Sequence, residues 1–396
     1  MAPERRLRRT RFVCISDTHN QTPKLPAGDV LIHAGDLTNH GSVSELRRTV
    51  AWLEKADFEA KLVVAGNHDI TLDQPFYSQH AASFHNQHPQ APAECIQLLK
   101  SSPSITFLQH EARSIRLKNP DGPRTSFNVF GSPYSPECGT WAFQYKRGSG
   151  HRLWDEIPLD TDVLITHAPP RFHCDMNSKG IADGCEELRE ALMRIRPPLH
   201  VCGHRHEGRG SERVRWKIDL PIAGLLEDGS DVWIDPGAGS NKQSLVDLSP
   251  RGGRPINNDF VHTSSVVSNI VSFTSTPASP IQQKASSQPD VIAPTYANPR
   301  HGSVATSSSS LSRTFQPSQA DQTTAIATTQ TREDGQLISR LDSRRAAALL
   351  GRMGKRETCV VNAAIMAQSH GTGGPRRLNK AVVVDVDLPV WPTEVH

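Results

Sequence analysis

Five short apolar runs in the first half of the chain each stop abruptly at polar, metal- or proton-competent side chains. Arg11-Phe12-Val13-Cys14-Ile15-Ser16 ends in Asp17-Thr18-His19, and Val30-Leu31-Ile32-His33-Ala34 ends in Gly35-Asp36. Lys61-Leu62-Val63-Val64-Ala65 ends in Gly66-Asn67-His68-Asp69, and Asp162-Val163-Leu164-Ile165-Thr166 ends in His167. The last, Leu199-His200-Val201-Cys202, ends in Gly203-His204-Arg205-His206. Short, continuous apolar runs bounded by turn residues read as strands buried on both faces. Their polar ends then fall where open α/β sheets hold ligands, beyond the carboxyl ends of the strands.

Helical patterns alternate with these runs, which predicts βαβ units and a layered α/β domain from Arg11 to about Pro198. Ser42-Val43-Ser44-Glu45 has the spacing of a capping box, and Leu46, Val50 and Leu53 follow at helical spacing, so a helix is predicted from about Ser42 to Ala56. A second is predicted from about Cys185 to Arg196, with Leu188, Leu192 and Ile195 on one face and Pro197-Pro198 ending it. The stretch from Gln74 to Asp160 is less regular. Glu94 to Leu99 is a short helix candidate within it, and Trp141, Phe143, Tyr145 and Arg147 would share one face of a strand. That face would either pack on the core or form a stacking wall with an anion-binding arginine, Tyr145 and Arg147 being the candidate substrate contacts.

Past Trp216 the pattern changes. Residues 249–331 are dominated by Ser, Thr, Pro and Gln, a composition that cannot bury enough apolar surface to offset its ordering entropy. Leu337 to Met353 has the pattern of a basic amphipathic helix. Strand-like runs then return at Thr358 to Ala364 and Lys380 to Val386. Two strands beyond a disordered tract suggest an insertion into one domain. The expected organisation is therefore a basic arm over 1–10, a domain over 11–216 plus 357–388, and a largely disordered insertion over 217–356.

Composition narrows the function little. The 396 residues carry a formal net charge of +3, too mild to argue for nucleic acid, and the cluster Arg5, Arg6, Arg8, Arg9 and Arg11 reads as a solvated arm. Seven cysteines in no dense spacing do not form a disulfide framework. No apolar stretch approaches the roughly 20 residues of a membrane helix, and the N-terminus has charge without the apolar region of a secretory signal. The expected location is cytoplasmic, with no membrane contact.

The chemistry lies in the strand ends. Asp17, His19, Asp36, Asn67, His167, His204 and His206 offer carboxylate oxygen, amide oxygen and imidazole nitrogen, the donors of hard and borderline divalent metals. Seven side chains are too many for one ion and suit two ions bridged by a carboxylate. A metal pair of this kind can hold a hydroxide between its members and clamp the attacking and leaving oxygens of a displacement at phosphorus.

The ordered set Asp-x-His, Gly-Asp, Gly-Asn-His-Asp, Thr-His and Gly-His-x-His resembles the calcineurin-like metallophosphoesterase superfamily. The resemblance covers Arg11 to about Trp216 and resumes near Glu357 to Leu388. It implies two packed β-sheets flanked by helices. It also implies that Asp17, His19 and His206 bind one metal, that Asn67, His167 and His204 bind another, and that Asp36 bridges them. His68 matches the family's proton-handling histidine, with Asp69 as the acidic neighbour that would orient it.

Finer motifs are similar to the metallophosphoesterase-domain-containing group. These are Trp154-Asp155-Glu156-Ile157-Pro158, Thr166-His167-Ala168-Pro169-Pro170, His206-Glu207-Gly208, and Asn39 where many relatives carry a second Asp. That resemblance implies two divalent ions, manganese first and iron, zinc or magnesium as alternatives, acting on phosphodiesters, cyclic nucleotides in particular. The rival expectations are a metal-binding scaffold with little activity and a protein serine/threonine phosphatase. Protein partners of the insertion are left open.

Overall fold

The computed structural model describes residues 6–217, 227–258, 355–367 and 378–391. Its strands in chain order are β1 Leu7–Ile15, β2 Val30–Ala34, β3 Ala60–Val64, β4 Thr106–Phe107, β5 Glu111–Arg116, β6 Ser126–Ser132, β7 Ser135–Pro136, β8 Gln144–Tyr145, β9 Val163–Thr166, β10 Leu199–Cys202, β11 Gly210–Trp216, β12 Glu227–Val232, β13 Ser244–Asp247, β14 Glu357–Asn362 and β15 Val382–Pro389. The helices are α1 Val43–Lys55, α2 Gln74–His85, α3 Pro92–Lys100, α4 His151–Asp155 and α5 Glu186–Ile195.

A six-stranded sheet runs β13-β15-β1-β2-β3-β4 and a seven-stranded sheet runs β12-β11-β14-β10-β9-β6-β5. Side-chain alternation along each strand explains how they pack. In β1, Phe12 and Cys14 join Val163, Ile165, Leu199 and Val201 of the other sheet in the central core. Val13 and Ile15 point the other way, into a layer with Leu46, Val50 and Leu53 of α1 and Cys95 and Leu99 of α3. On the far side, Leu164 of β9 and Val360 of β14 meet Trp154 of α4 and Leu188, Leu192 and Ile195 of α5. The layers are helix, sheet, sheet, helix, as the family resemblance implies. Both faces of the inner strands are dry, which is why their sequences are continuously apolar.

The two predicted helices form where their caps place them. Ser42 caps α1 and Glu45 reaches back to the cap, completing the capping box. Cys185 caps α5, Arg196 turns left-handed at φ 53°, and the two prolines follow. The irregular stretch contains more than expected. Helix α2 begins behind the cap of Asp73, with Pro75 in its first turn; Tyr77 is buried, and Phe76, Ala81 and Phe84 pack against the same core partly buried. The strand expected through Trp141 to Arg147 shrinks to Gln144–Tyr145, because Phe143 adopts φ 55° and breaks the alternation.

The domain boundaries also differ from expectation. Residues Leu7 to Thr10, assigned to the basic arm, belong to β1. Arg11 forms a two-pronged pair with the buried Asp385 at 2.7 Å, and Arg9 approaches the same carboxylate at 3.7 Å, a partner too distant in sequence to be foreseen. Residues 227–258, expected to loop out, are built into both sheets. Strand β12 pairs with β11, and β13 pairs with β15. β12 is the polar run Glu-Asp-Gly-Ser-Asp-Val at a sheet edge, which carries no apolar signal. Asn258 and Lys355 form an antiparallel bridge, so the chain leaves and re-enters the domain at one point. The candidate helix over 337–353 and the polar tract from 259 onward lie outside the described residues.

Candidate metal centre

Parallel pairing of β1, β2 and β3 aligns their carboxyl ends, and parallel pairing of β9 and β10 does the same in the second sheet. The loops beyond these ends converge across the gap between the sheets. They bring Asp17, His19, Asp36, Asn67 and His68 from the first sheet against His167, His204 and His206 from the second. The turns are sharp: Asp17, His19, Asp36 and His204 all have positive φ, between 44° and 65°. Side-chain-bearing residues avoid this region at a cost of order 1–3 kcal/mol each, and such residues concentrate at functional sites.

Asn67 Oδ1 lies 2.9 Å from His167 Nε2 and 2.7 Å from His204 Nδ1. His167 Nε2 stands 3.4 Å from Asp36 Oδ1, and His19 Nε2 stands 3.6 Å from Asp36 Oδ2. His206 Nε2 is 3.4 Å from Asp17 Oδ1. Asp17, His19 and His206 each place a donor atom within 4.8 Å of the others, and so do Asp17, Asp36 and His167. Two donors bound to one ion at about 2.0–2.2 Å stand about 3.0–3.5 Å apart, close to the spacings found here. Asp36 turns one oxygen toward each set.

Hydrogen bonds prepare the imidazoles. His167 Nδ1 donates to the Ala34 carbonyl at 2.9 Å, and His19 Nδ1 to the Thr38 carbonyl at 3.2 Å. Each bond leaves Nε2 as the free donor atom, the arrangement typical of metal-bound histidine. Close packing completes the cradle. A methyl group on Gly66 would fall on the amide and carboxylate of Asp36 and the ring of His167; one on Gly203 would fall on Ser16 and Asp17.

The electrostatics call for positive charge. Burial alone would raise Asp36, but His167, His19 and His68 override it and hold the carboxyl well below the usual range. Burial likewise opposes the lowering of Asp17 to about 2, which the contact with His206 imposes. Against its own burial, His167 is raised to about 9 by Asp36, Asp17 and the Ala34 carbonyl. Burial, with His167 and Arg205 nearby, holds His204 far below its ordinary value. Protons on the imidazoles answer the two carboxylates, and a divalent ion satisfies the same demand while releasing them. The donor set fits a pair of such ions.

His68 meets the same loops differently. Its amide donates to Asp36 Oδ1 at 2.9 Å, and its Nδ1 donates to the Asn39 carbonyl at 2.9 Å. The ring stands edge-on to His19 at 4.8 Å and lies 4.0 Å from Trp141. Asp69, expected to orient this imidazole, does something else. Fully buried, it accepts from the amides of Leu37, Thr38 and Gly66 and from the Thr38 hydroxyl, tying the Asp36 loop to the Asn67 loop. Burial, reinforced by Asp36, pushes Asp69 up to about 7. The orienting group for His68 is the Asn39 carbonyl. Backbone atoms leave no trace in a sequence, and the Asp69 side chain turns inward to the amides of the Asp36 loop instead of capping the short 3-10 helix Ile70–Leu72.

Tyr145 and Arg147 are not among the residues gathered around Asp36. The Tyr145 hydroxyl lies 2.8 Å from Cys185 Sγ and accepts from Trp154 Nε1 at 3.1 Å, and burial pushes the phenol up. Arg147 pairs with Asp183 at 2.7 Å, whose other oxygen pairs with Arg205 at 2.6 Å. With Phe143 left-handed, the shared strand face does not form, and of that set Trp141 alone contacts His68. Sequence reasoning also passed over two buried histidines. His33 Nε2 meets the Thr18 hydroxyl at 2.9 Å, between Asp17 and His19, and His200 Nε2 meets the Thr166 hydroxyl at 2.7 Å, beside His167. A histidine inside an apolar run was the available signal, since a buried polar group requires a partner.

A family model described as calcineurin-like phosphoesterase matches residues 10–208, half of the chain, and the chain belongs to that family. Metallophosphoesterase domain-containing protein 1 of Homo sapiens is 38% identical over 210 residues, covering 51% of this chain and 62% of that protein. UPF0046 protein K07C11.7 of Caenorhabditis elegans is 35% identical over 254 residues, covering 61% of this chain and 73% of that protein. A protein of Emericella nidulans named probable rhamnogalacturonate lyase C is 40% identical over 225 residues, covering 56% of this chain but 20% of that protein. The first-matching relatives thus extend well beyond the shared domain. What is shared is the domain of a metal-dependent phosphoric ester hydrolase.

Proposed function

We propose that this chain is a two-metal phosphodiesterase acting on small phosphodiesters, cyclic nucleotides in particular, with manganese as the working ion. Asp17, His19 and His206 would hold one ion, Asn67, His167 and His204 the other, and Asp36 would span both. The observation that carries this reading is the posture of Asp36, one oxygen toward each donor set. When bound, such a pair supplies an activated water and neutralises charge on the phosphoryl oxygens.

The chain's own groups supply the rest. The left-handed turns at Asp17, His19, Asp36 and His204 aim the donors before any ligand arrives, so no reorganisation is needed at the moment of reaction. His68 is anchored through Nδ1 and so presents Nε2, from which a proton passes to the leaving oxygen as its bond to phosphorus breaks. A ribose alkoxide is a poor leaving group and needs that proton. The preference for diesters rests on the finer motifs around Trp154 to Pro158 and Thr166 to Pro170.

The test is a panel of cyclic nucleotides, bis(4-nitrophenyl) phosphate, 4-nitrophenyl phosphate and a phosphopeptide, assayed with Mn²⁺, Mg²⁺ and chelator. Manganese-dependent turnover of the diesters, abolished by chelator, is the expected result. Turnover confined to monoesters or the phosphopeptide would overturn the diester assignment, and turnover that survives chelation would overturn the metal assignment.

A further inference from the structure

Trp141 contacts the site through His68. Its ring lies 4.0 Å from that of His68, centroid to centroid, at an interplanar angle of 34°. Phe84 packs against it at 5.5 Å, and His40 lies parallel to it at 6.3 Å. The backbone is fastened as firmly. Ala142 donates to the Asn67 carbonyl at 3.2 Å, and Phe143 donates to Asp73 Oδ2 at 2.7 Å through a left-handed residue. The loop bearing Trp141 is therefore pinned to the peptide that joins Asn67 to His68.

One hydrogen bond holds Nδ1 of His68, yet rotation about Cα–Cβ and Cβ–Cγ can still swing the ring plane. A flat indole against one face, with the edge-on His19 ring at 4.8 Å, removes the swing. We infer that Trp141 is a positioning residue that holds the His68 imidazole plane so that Nε2 keeps its aim at the leaving oxygen. This rests on the reading of His68 as the proton donor. Because Trp141 acts only through His68, its effect must vanish when the imidazole is absent.

The experiment compares His68→Ala, Trp141→Ala, Trp141→Phe and the double variant His68→Ala/Trp141→Ala in the full chain loaded with Mn²⁺. Turnover is followed on a cyclic nucleotide and on bis(4-nitrophenyl) phosphate, whose leaving group departs without a proton. Misplacement of a catalytic group by about 1 Å can cost about 10²-fold, so Trp141→Ala should lower kcat on the cyclic nucleotide by roughly 10–10²-fold. On the nitrophenyl ester the loss should stay within about threefold, since proton donation is not required there. Metal content should be unchanged, and Trp141→Phe should recover most of the rate by restoring a flat face. The double variant should be no slower than His68→Ala alone, as expected of residues acting as one unit.

If Trp141→Ala raises KM for the nucleotide at constant kcat, the indole is a substrate surface and the positioning role is wrong. Additive losses in the double variant, or lost metal in both Trp141 variants, overturn it as well. Should His68→Ala itself slow both substrates equally, the proton-donor reading fails first, independently of Trp141.

Discussion

The two sheets contribute unlike halves to one site. The first supplies both carboxylates, the amide oxygen and a single imidazole among the candidate ligands, on turns where Asp17, His19 and Asp36 are left-handed. The second supplies only imidazoles, and of these only His204 sits on a left-handed residue. Each donor set nevertheless draws on both sheets: His206 completes Asp17 and His19, while Asn67 completes His167 and His204. Because each set spans both sheets, each ion would act as a cross-link between two separately hydrogen-bonded layers. The negative charge and most of the backbone strain sit on one side, and the soft, proton-exchanging groups on the other.

The two halves meet at Asp36. Asp36→Asn removes the group that faces both sets, and should lower metal content and turnover together, by more than the 10–100-fold typical of residues one step removed from a metal. Metal analysis and kinetics on the same sample check this, and full occupancy with near-normal turnover would end the bridging assignment. Cross-linking predicts the next largest effect. At an ion concentration 100 times Kd, binding adds about 2.7 kcal/mol to stability. Chelation should therefore lower the melting temperature by about 5–10 °C in a domain of this size, and do much less in Asp36→Asn. An unchanged melting curve after verified metal removal would mean that the ions do not join the layers.

The buried histidines allow the halves to be perturbed one at a time. His33 supports the threonine between Asp17 and His19, and His200 supports the threonine before His167. His33→Leu should weaken the first ion and His200→Leu the second, each by about 10–100-fold, in a two-step metal titration. Weakening of the same step by both would mean that the two histidines do not serve separate ions.

One further effect lies away from the ions, beside the second sheet. His173 reaches Glu212 at 3.0 Å and Glu227 at 3.4 Å, and against its own burial these raise it to about 9. An imidazole raised above its unfolded value near 6.5 contributes stability that is fully present below that pH and lost as pH climbs through the folded value. Burial opposes the lowering of Glu212 and Glu227 that His173 imposes, so their share fades only in acid. Stability should fall by about 1–3 kcal/mol between pH 6.5 and 9, and His173→Gln should flatten the slope. Denaturant titrations at those pH values check it, and an equal slope in the variant would remove His173 as its source.

The strand ends were legible because parallel, doubly covered strands must be apolar throughout, so the first polar residue marks where a strand reaches solvent or a ligand. The loops that follow those ends carry the seven candidate ligands, and the structure brings these side chains together. The rule could not aim side chains: Asp69 and His68 are neighbours in sequence, yet one turns into the core and the other toward Trp141. The wall of Tyr145 and Arg147 failed for a related reason, since one left-handed residue, Phe143, undoes the alternation on which the reading depended. Strands β12 and β13 were invisible because an edge strand with a wet face need not be apolar. The partners of Asp385 and His173 are contacts between distant segments, which no local pattern encodes.

The placement of the last two strands bears on how the protein is made. Strand β14 lies between β11 and β10, and β15 lies between β13 and β1, so each fills an inner position in its sheet. Both are synthesised after the stretch between Asn258 and Lys355, roughly a hundred residues that a ribosome takes about 5–20 s to traverse. Throughout that interval the emerging chain carries strands β1 and β10 with one flank unpaired, the kind of edge that invites another chain to pair with it. The bridge between Asn258 and Lys355 marks where the late strands rejoin the rest. A nascent chain halted before Glu357 would thus lack a strand from the interior of each sheet and would leave β1 and β10 with open flanks.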